Sequence, residues 1–291
     1  MIAGPTAVGK TEVGIELAEQ LKTEIISGDS RQLFCEMNLG TAKPDAEQLR
    51  RIPHHFISSH SIHQNFDAAQ FEEEGLSLLK KLFKKHEEVI LVGGSGLYIK
   101  ALCEGFDAIP SVPSSLREQL NTEFISKGLD WLQQEMRRLD PGYFEVMEQK
   151  NPVRLIRALA VKMETGYSIS HFFGKQKKSR SFDVVKIGLE MERKKLYERI
   201  DRRMDEMIRK GLFEEAKELF PWRHLGALQT VGYQEIFHFM EGRYDRDEAI
   251  RLLKRNSRRY AKRQMTWFKK DQAFQWVGPT HMDKIFKMTS R

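Results

Sequence analysis

Eight residues near the start of the chain, Gly4-Pro5-Thr6-Ala7-Val8-Gly9-Lys10-Thr11, match G-x-x-x-x-G-K-[ST] at every fixed position. A helical pattern follows at once, which is the context a phosphate-binding loop requires. Glycine allows close backbone approach or positive φ, and consecutive amides then form an anion-binding concavity. The helix N-terminus adds unpaired donors and a favourable dipole. Lys10 supplies a point charge for the terminal phosphate, and the Thr11 hydroxyl is the candidate metal ligand, for Mg²⁺. The motif predicts phosphate binding without naming the molecule that carries the phosphates.

Two further turns carry chemistry. Asp29 follows the apolar run Thr23–Ser27, at a strand end where open parallel sheets place ligand-contacting residues. It can hold a metal, act as a base on an acceptor beside the phosphate loop, or cap a helix. Gly93-Gly94-Ser95-Gly96 follows a second apolar run; its glycines permit close approach to a ligand or simply tight packing, and Ser95 offers a hydroxyl. Between Arg251 and Lys270 stand nine basic residues and no acid. The run either pairs with acids elsewhere in the fold or forms a surface for phosphates. Trp267 and Phe268 within it fit a helix face packed into the core better than a stacking platform. Adjacent His54 and His55 point apart in any regular element, so they read as structural rather than as a metal pair.

The elements that position these residues follow from pattern. Short apolar runs at Ile2–Ala3, Thr23–Ser27 and Val89–Gly94 alternate with helical patterns at about 10–21 and 68–85. This predicts a parallel sheet with helices on both faces. The segment after Gly105, with two prolines and three serines, reads as a linker, and the chain is then helical to about Ser170. Val184–Met191 is the next strand, a helix runs from Arg193 to Lys210 with Gly211 at its end, and the remainder is helical to Lys270, with a last strand in 271–278. The fold class is therefore α/β, a phosphate-loop parallel core interrupted by a helical insertion. The expected divisions are 1–112, 113–182 and 183–291.

Composition sets the limits. The chain has 291 residues, 48 basic and 41 acidic, for a net charge of +7, with 40% apolar and 31% charged residues. That excludes disorder as a description of the whole, and no apolar run approaches the ~20 residues that span a bilayer. Two cysteines make no disulfide framework. The start lacks a secretory pattern. A cytoplasmic protein, working as a monomer and binding no membrane, is expected.

Taken together, several segments resemble the tRNA dimethylallyltransferases, also called tRNA isopentenyltransferases. They are the phosphate loop with its Pro-Thr-Ala, the stretch Ser27–Pro44, His54–Ile57, Gly93–Leu102, Asn151–Val161, Leu196–Leu219, Val231–Glu235 and Ala261–Lys270. These occur in family order over nearly the whole chain. Ser95 stands where the family usually has Thr, Leu33-Phe34 where it has Val-Tyr, and Asn38 where it has Asp. Gln229 stands where some members have Arg. Members carry a full apolar strand ahead of the loop, whereas only Met1-Ile2-Ala3 precedes it here.

The resemblance implies transfer of a dimethylallyl group from its diphosphate to N6 of adenine 37, beside the anticodon of tRNA. The phosphate loop then holds an isoprenoid diphosphate rather than ATP. Asp29 becomes the base, Ser95 positions adenine or donor, and Lys10 and Thr11, with Mg²⁺, stabilise the leaving diphosphate. Ser30, Arg31 and Gln32 are expected beside the adenine. Arg117, Val153, Arg154, Arg157 and the turn Val231-Gly232-Tyr233-Gln234 are expected along the RNA, with the insertion clamping the anticodon stem-loop. Competing readings are a small-molecule kinase using ATP, a transferase with free AMP or ADP as acceptor, and a non-catalytic RNA-binding protein.

Overall fold

The computed structural model describes residues 1–107, 109–174 and 179–289. Its contacts divide the chain into two compact units: Met1–Cys103 with the chain from Arg180 onward, and Glu104–Ser179. In the first unit, strands β1 (Ile2–Ala3), β2 (Ile25–Ser27), β3 (His54–His55), β4 (Ile90–Gly93), β5 (Ile187–Leu189) and β6 (Gln275–Val277) form one sheet. All pairings are parallel, in the order β3-β2-β4-β1-β5-β6. Strand β1 is only two residues long, yet it is central: Ile2 lies opposite Val92 on one side and Ile187 on the other. Strands β1, β2 and β5 are wholly buried, the condition of parallel strands covered on both faces.

Helices α1 (Lys10–Leu21), α2 (Ala46–Arg51), α3 (Ala68–Leu82) and α4 (Gly96–Glu104) flank the first four strands. The second unit holds α5 (Ser114–Leu139), α6 (Pro141–Val146) and α7 (Pro152–Thr165). Helix α5 is interrupted at Gly128, where φ is 80°. This unit has its own core around Leu132, Met136, Phe144, Leu155 and Leu159. The chain returns to the first unit through α8 (Arg193–Arg209), α9 (Leu212–Leu219), α10 (Gln234–Met240), α11 (Arg246–Phe268) and α12 (Met282–Thr289).

Several local expectations shift. Residues 109–112, expected to close the first division, belong to the second unit, because Val112 is buried in its core and Ile109 packs against it. Arg180 belongs to the first unit: its guanidinium pairs with buried Glu72 at 2.9 Å and donates to the Ala101 carbonyl. His54-His55 forms a short strand beside β2. The stretch 220–230, expected to be helical, is a short 3₁₀ turn at Phe220–Trp222 followed by tight turns. Helix α12 was not expected at all; its apolar residues lie on one side, with Ile285 fully buried in the sheet core.

The strand order decides where chemistry can occur. It sets β2, β4 and β1 side by side, so the turns that follow them converge at one edge. Those turns carry Asp29, Ser95 and the phosphate loop. Gly93 makes the approach close: a Cβ there would lie 2.3 Å from the Gly28 carbonyl oxygen.

Candidate active site

The phosphate loop joins β1 to α1, with Gly9 at the helix N-cap in the left-handed region, φ 110°. A side chain is strained in that conformation. The Lys10 Nζ donates to the carbonyls of Gly4 (3.0 Å) and Pro5 (2.8 Å), so it lies folded along the loop. Burial pushes the Lys10 ammonium down to about 8, against the opposing pull of Asp29 and assisted by Arg203. Because kcat/KM reports the free enzyme, capture of an anionic donor should fall as pH rises through about 8 and Lys10 loses its proton. A bound diphosphate favours the ammonium, so kcat should lose activity at higher pH than kcat/KM. Both profiles with donor varied at saturating acceptor check this; coincident inflections would remove Lys10 from the phosphate site.

The loop opens on a cleft of ≈ 400 Å³. Its walls include Lys10, Thr11, Asp29, Gln32, Gly93 and Gly94 from the strand ends, and Arg199, Arg202 and Arg203 from α8. Tyr260 and Gln264 enter from α11. The Arg203 guanidinium donates to the Thr6 hydroxyl, and burial lowers its pKa while Asp29 raises it. Gln264 is buried and bridges two turns: its Oε1 accepts from the Thr6 amide (2.8 Å), and its Nε2 donates to the Gly94 carbonyl (2.9 Å). A Cβ at Gly94 would lie 2.3 Å from that Nε2, so the glycine makes room for the bridge.

Asp29 caps no helix. Its Oδ1 accepts from the amides of Arg31 (2.9 Å) and Gln32 (3.3 Å), fixing a turn. Its Oδ2 accepts no hydrogen bond among the described residues and is available to a ligand. The Ser95 hydroxyl accepts from the Ser30 amide at 2.9 Å and donates to the Ser30 hydroxyl at 3.1 Å. Half-buried Arg31 lies near Asp29, Tyr98 and Tyr260, and burial lowers its pKa. Burial pushes the Tyr260 hydroxyl up to about 12 despite its hydrogen bond with Ser95. Tyr260 therefore stays protonated, as a donor with an aromatic face. The Thr11 hydroxyl has no hydrogen-bond partner among the described residues, and no cluster of three His, Cys, Asp or Glu side chains stands ready to cage a metal among them.

The expected RNA-contacting residues fare differently. The Gln32 amide donates to the carbonyls of Thr41 (3.2 Å) and Ala42 (3.0 Å), so both its protons are committed to the protein. Tyr233, expected along the RNA, is fully buried in this structure. Its hydroxyl donates to Glu215 at 2.7 Å. The same carboxylate accepts from the amides of Asn38, Leu39 and Gly40. Tyr233 and Glu215 thus clamp the loop that in turn holds Gln32. Gly232 is buried and Val231 half-buried, while the half-buried Gln234 side chain donates to Gln229 at 2.6 Å. Arg117, Val153, Arg154 and Arg157 lie in the second unit; the last three are exposed on α7, opposite its apolar stripe.

The basic run on α11 divides in two. Arg251, Lys254, Arg258 and Lys269 pair with Glu248, Asp205, Asp201 and Glu190. Arg255, Arg259, Lys262, Arg263 and Lys270 have no ion pair among the described residues. Phe268 is buried, but Trp267 is 41% exposed and lies over Gly96, so only one of the two aromatics is core.

Fold and cleft together define a phosphate-loop α/β protein with a carboxylate, a tyrosine and an arginine-rich wall around one cavity, the equipment of a group transferase acting on a phosphorylated donor. Comparison with known proteins narrows this. The family model for IPP transferase matches residues 32–271. The tRNA dimethylallyltransferase of Cytophaga hutchinsonii is 50% identical over 98% of this chain and 94% of its own length. The crystal structure of the tRNA isopentenylpyrophosphate transferase of Bacillus halodurans is similar with a TM-score of 0.72 and 36% identity, covering 99% of this chain and 92% of that one. A eukaryotic dimethylallyltransferase acting on tRNA shares the fold, with a TM-score of 0.78 at 24% identity, over 99% of this chain and 75% of that one. The chain belongs to the IPP transferase family. Nothing in these comparisons favours a kinase, and the arginines near the phosphate loop come from α8 of the core rather than from the insertion.

Proposed function

We propose that this enzyme is a tRNA dimethylallyltransferase, moving a five-carbon dimethylallyl group from dimethylallyl diphosphate to N6 of adenine 37 of tRNA. One observation carries the reading beyond family membership: Asp29, with a free carboxylate oxygen, lines the same cleft as the phosphate loop and the α8 arginines. A base for the acceptor and a cradle for the leaving group thus face one volume.

In the reaction the bond between C1 of the donor and the diphosphate oxygen breaks as N6 bonds to C1. The N6 proton passes to the Asp29 carboxylate, and diphosphate leaves. Adenine N6 is a weak nucleophile because its lone pair is delocalised, and it becomes acidic as alkylation proceeds, so a positioned carboxylate assists. Loop amides, Lys10 and Arg203 stabilise the charge that grows on diphosphate. The oxygen-donor set of Thr11 and the diphosphate suits Mg²⁺, which needs few protein ligands; bound there it supplies Lewis-acid stabilisation of the leaving group. Ser95 and Tyr260 offer a hydroxyl and a ring to an extruded base. No helix among the described residues is long and apolar enough to cross a membrane.

The test is a transfer assay with Mg²⁺, labelled dimethylallyl diphosphate and unmodified tRNA, with ATP as a parallel donor. Label at the adenine beside the anticodon supports the proposal; ATP consumption without label transfer overturns it. The unpaired cations of α11 add a second expectation. Affinity for tRNA should fall steeply between about 50 and about 200 mM salt. Replacing Arg259 and Lys262 by Gln should lower the slope of log K against log salt by about two. A slope that the double variant leaves unchanged would show that these residues do not contact phosphates.

A further inference from the structure

We infer that Gln264 is a positioning residue: it fixes the phosphate loop against the Gly94-Ser95 turn and so sets the distance between the bound donor and the acceptor's base. This rests on the proposed function and adds a residue to it.

Gln264 stands where its helix should be apolar. The buried face of α11 runs through Leu253, Ser257, Ala261, Gln264 and Phe268, and Ala261 packs into the sheet core. Gln264 is only 5% exposed. A side-chain amide buried there carries a desolvation cost that hydrogen bonds must offset. Each end of the amide has one: Oε1 accepts from the Thr6 amide and Nε2 donates to the Gly94 carbonyl. A carboxylate in its place could only accept, and an ammonium could only donate.

The bridge lies where the sheet edge is otherwise unlinked. The turns after β2 and β4 are joined directly, because the Ser95 amide donates to the Gly28 carbonyl and the Ser30 amide to the Ser95 hydroxyl. Ser30 follows Asp29, so the base is fixed to the Ser95 turn. Among the described residues, no backbone hydrogen bond joins 5–9 to 94–96. Gln264 makes that connection. On the donor side its partner Thr6 also receives Arg203 on its hydroxyl, so one residue anchors both the loop and the arginine wall. The Thr6 amide is thereby committed to Gln264 and withdrawn from any phosphate. That arrangement serves spacing rather than anion binding. Tolerance is small: Lys10 Nζ lies 3.5 Å from where a Gly94 side chain would begin. A reaction that needs N6, C1 and the leaving oxygen aligned loses ~10²-fold for a misplacement of about 1 Å.

The experiment is a single-turnover assay with dimethylallyl diphosphate and tRNA both prebound, read as rate constant and amplitude separately. Gln264→Met keeps a similar shape and removes both bonds. Its rate constant should fall by ~10²-fold, while inhibition by inorganic pyrophosphate and affinity for tRNA keep their wild-type values. Gly94→Ala breaks the bridge from the other side, since a Cβ there would lie 2.3 Å from the Gln264 Nε2. It should slow the reaction similarly, and the double variant should be no slower than the worse single one. A purely structural role would instead lower the amplitude, through loss of folded protein, and leave the rate constant of the active fraction untouched. That result overturns the inference, and in Gly94→Ala it does so even where Gln264→Met fails to fold. So does a rate loss in Gln264→Met matched by weaker pyrophosphate inhibition or weaker tRNA binding, which would make Gln264 a substrate contact. A wild-type chain that transfers no dimethylallyl group to tRNA would overturn the proposed function, and this inference with it.

Discussion

Asp29→Asn should slow transfer by ~10²- to 10⁴-fold, the range over which a positioned general base contributes. The substitution suits the geometry. Asparagine keeps a carbonyl oxygen where Oδ1 accepts from the amides of Arg31 and Gln32, so the turn survives and only charge and basicity are lost. The measurement is a single-turnover rate with donor and tRNA both prebound, which separates chemistry from binding. Affinity for tRNA should change little, since the residue is half-buried at a strand end and the base it serves is held by several groups. A wild-type rate with both substrates bound would assign Asp29 to the turn alone and leave the proton without an acceptor in this cleft.

The groups legible in the sequence share one property: their role is set by short-range pattern. The phosphate loop announces itself through glycine spacing, and Asp29 and Ser95 through their positions just after apolar runs. The sheet order then brings the three turns to one edge. What stayed hidden depends on which side of a helix faces inward. Gln264 sits among nine basic residues in a stretch that reads as charged surface, yet it is buried and ties the phosphate loop to Gly94. Tyr233 lies in a turn expected along the RNA, and its hydroxyl can be buried because Glu215 receives it. Sequence spacing does not show that partner, eighteen residues away. The extent of the second unit was also obscured, because a proline-rich stretch that looks like a linker contributes Val112 to a core. Helix α12 lay past the expected last strand, where eight residues give too few turns for a periodic signal.

Arg203 is the hidden residue with the largest expected effect. Helix α8 carries many basic side chains, and charge alone cannot choose among them. Its buried stripe, Leu196, Ile200, Met204 and Met207, does choose. Arg199 and Arg203 each precede a stripe residue by one position, which sets them i, i+4 along one border of the packed face. In the structure that border meets the phosphate loop: Arg203 reaches the Thr6 hydroxyl, and Arg199 lies 3.9 Å from where a Gly9 side chain would begin. A guanidinium held there before the donor binds is a preorganised donor for the departing diphosphate, and removing one such group costs ~10²- to 10³-fold in kcat. Arg203→Ala should therefore lose that much and also bind inorganic pyrophosphate more weakly. Arg203→Lys should recover only part of the loss, because an ammonium lacks the planar fork of donors that matches phosphate oxygens. Arg209→Ala, exposed on the same helix, controls for net charge and should leave kcat unchanged. Equal losses at 203 and 209 would mean that long-range field acts rather than contact. Loss of tRNA binding with intact pyrophosphate binding in Arg203→Ala would move the residue from the donor to the acceptor side of the cleft.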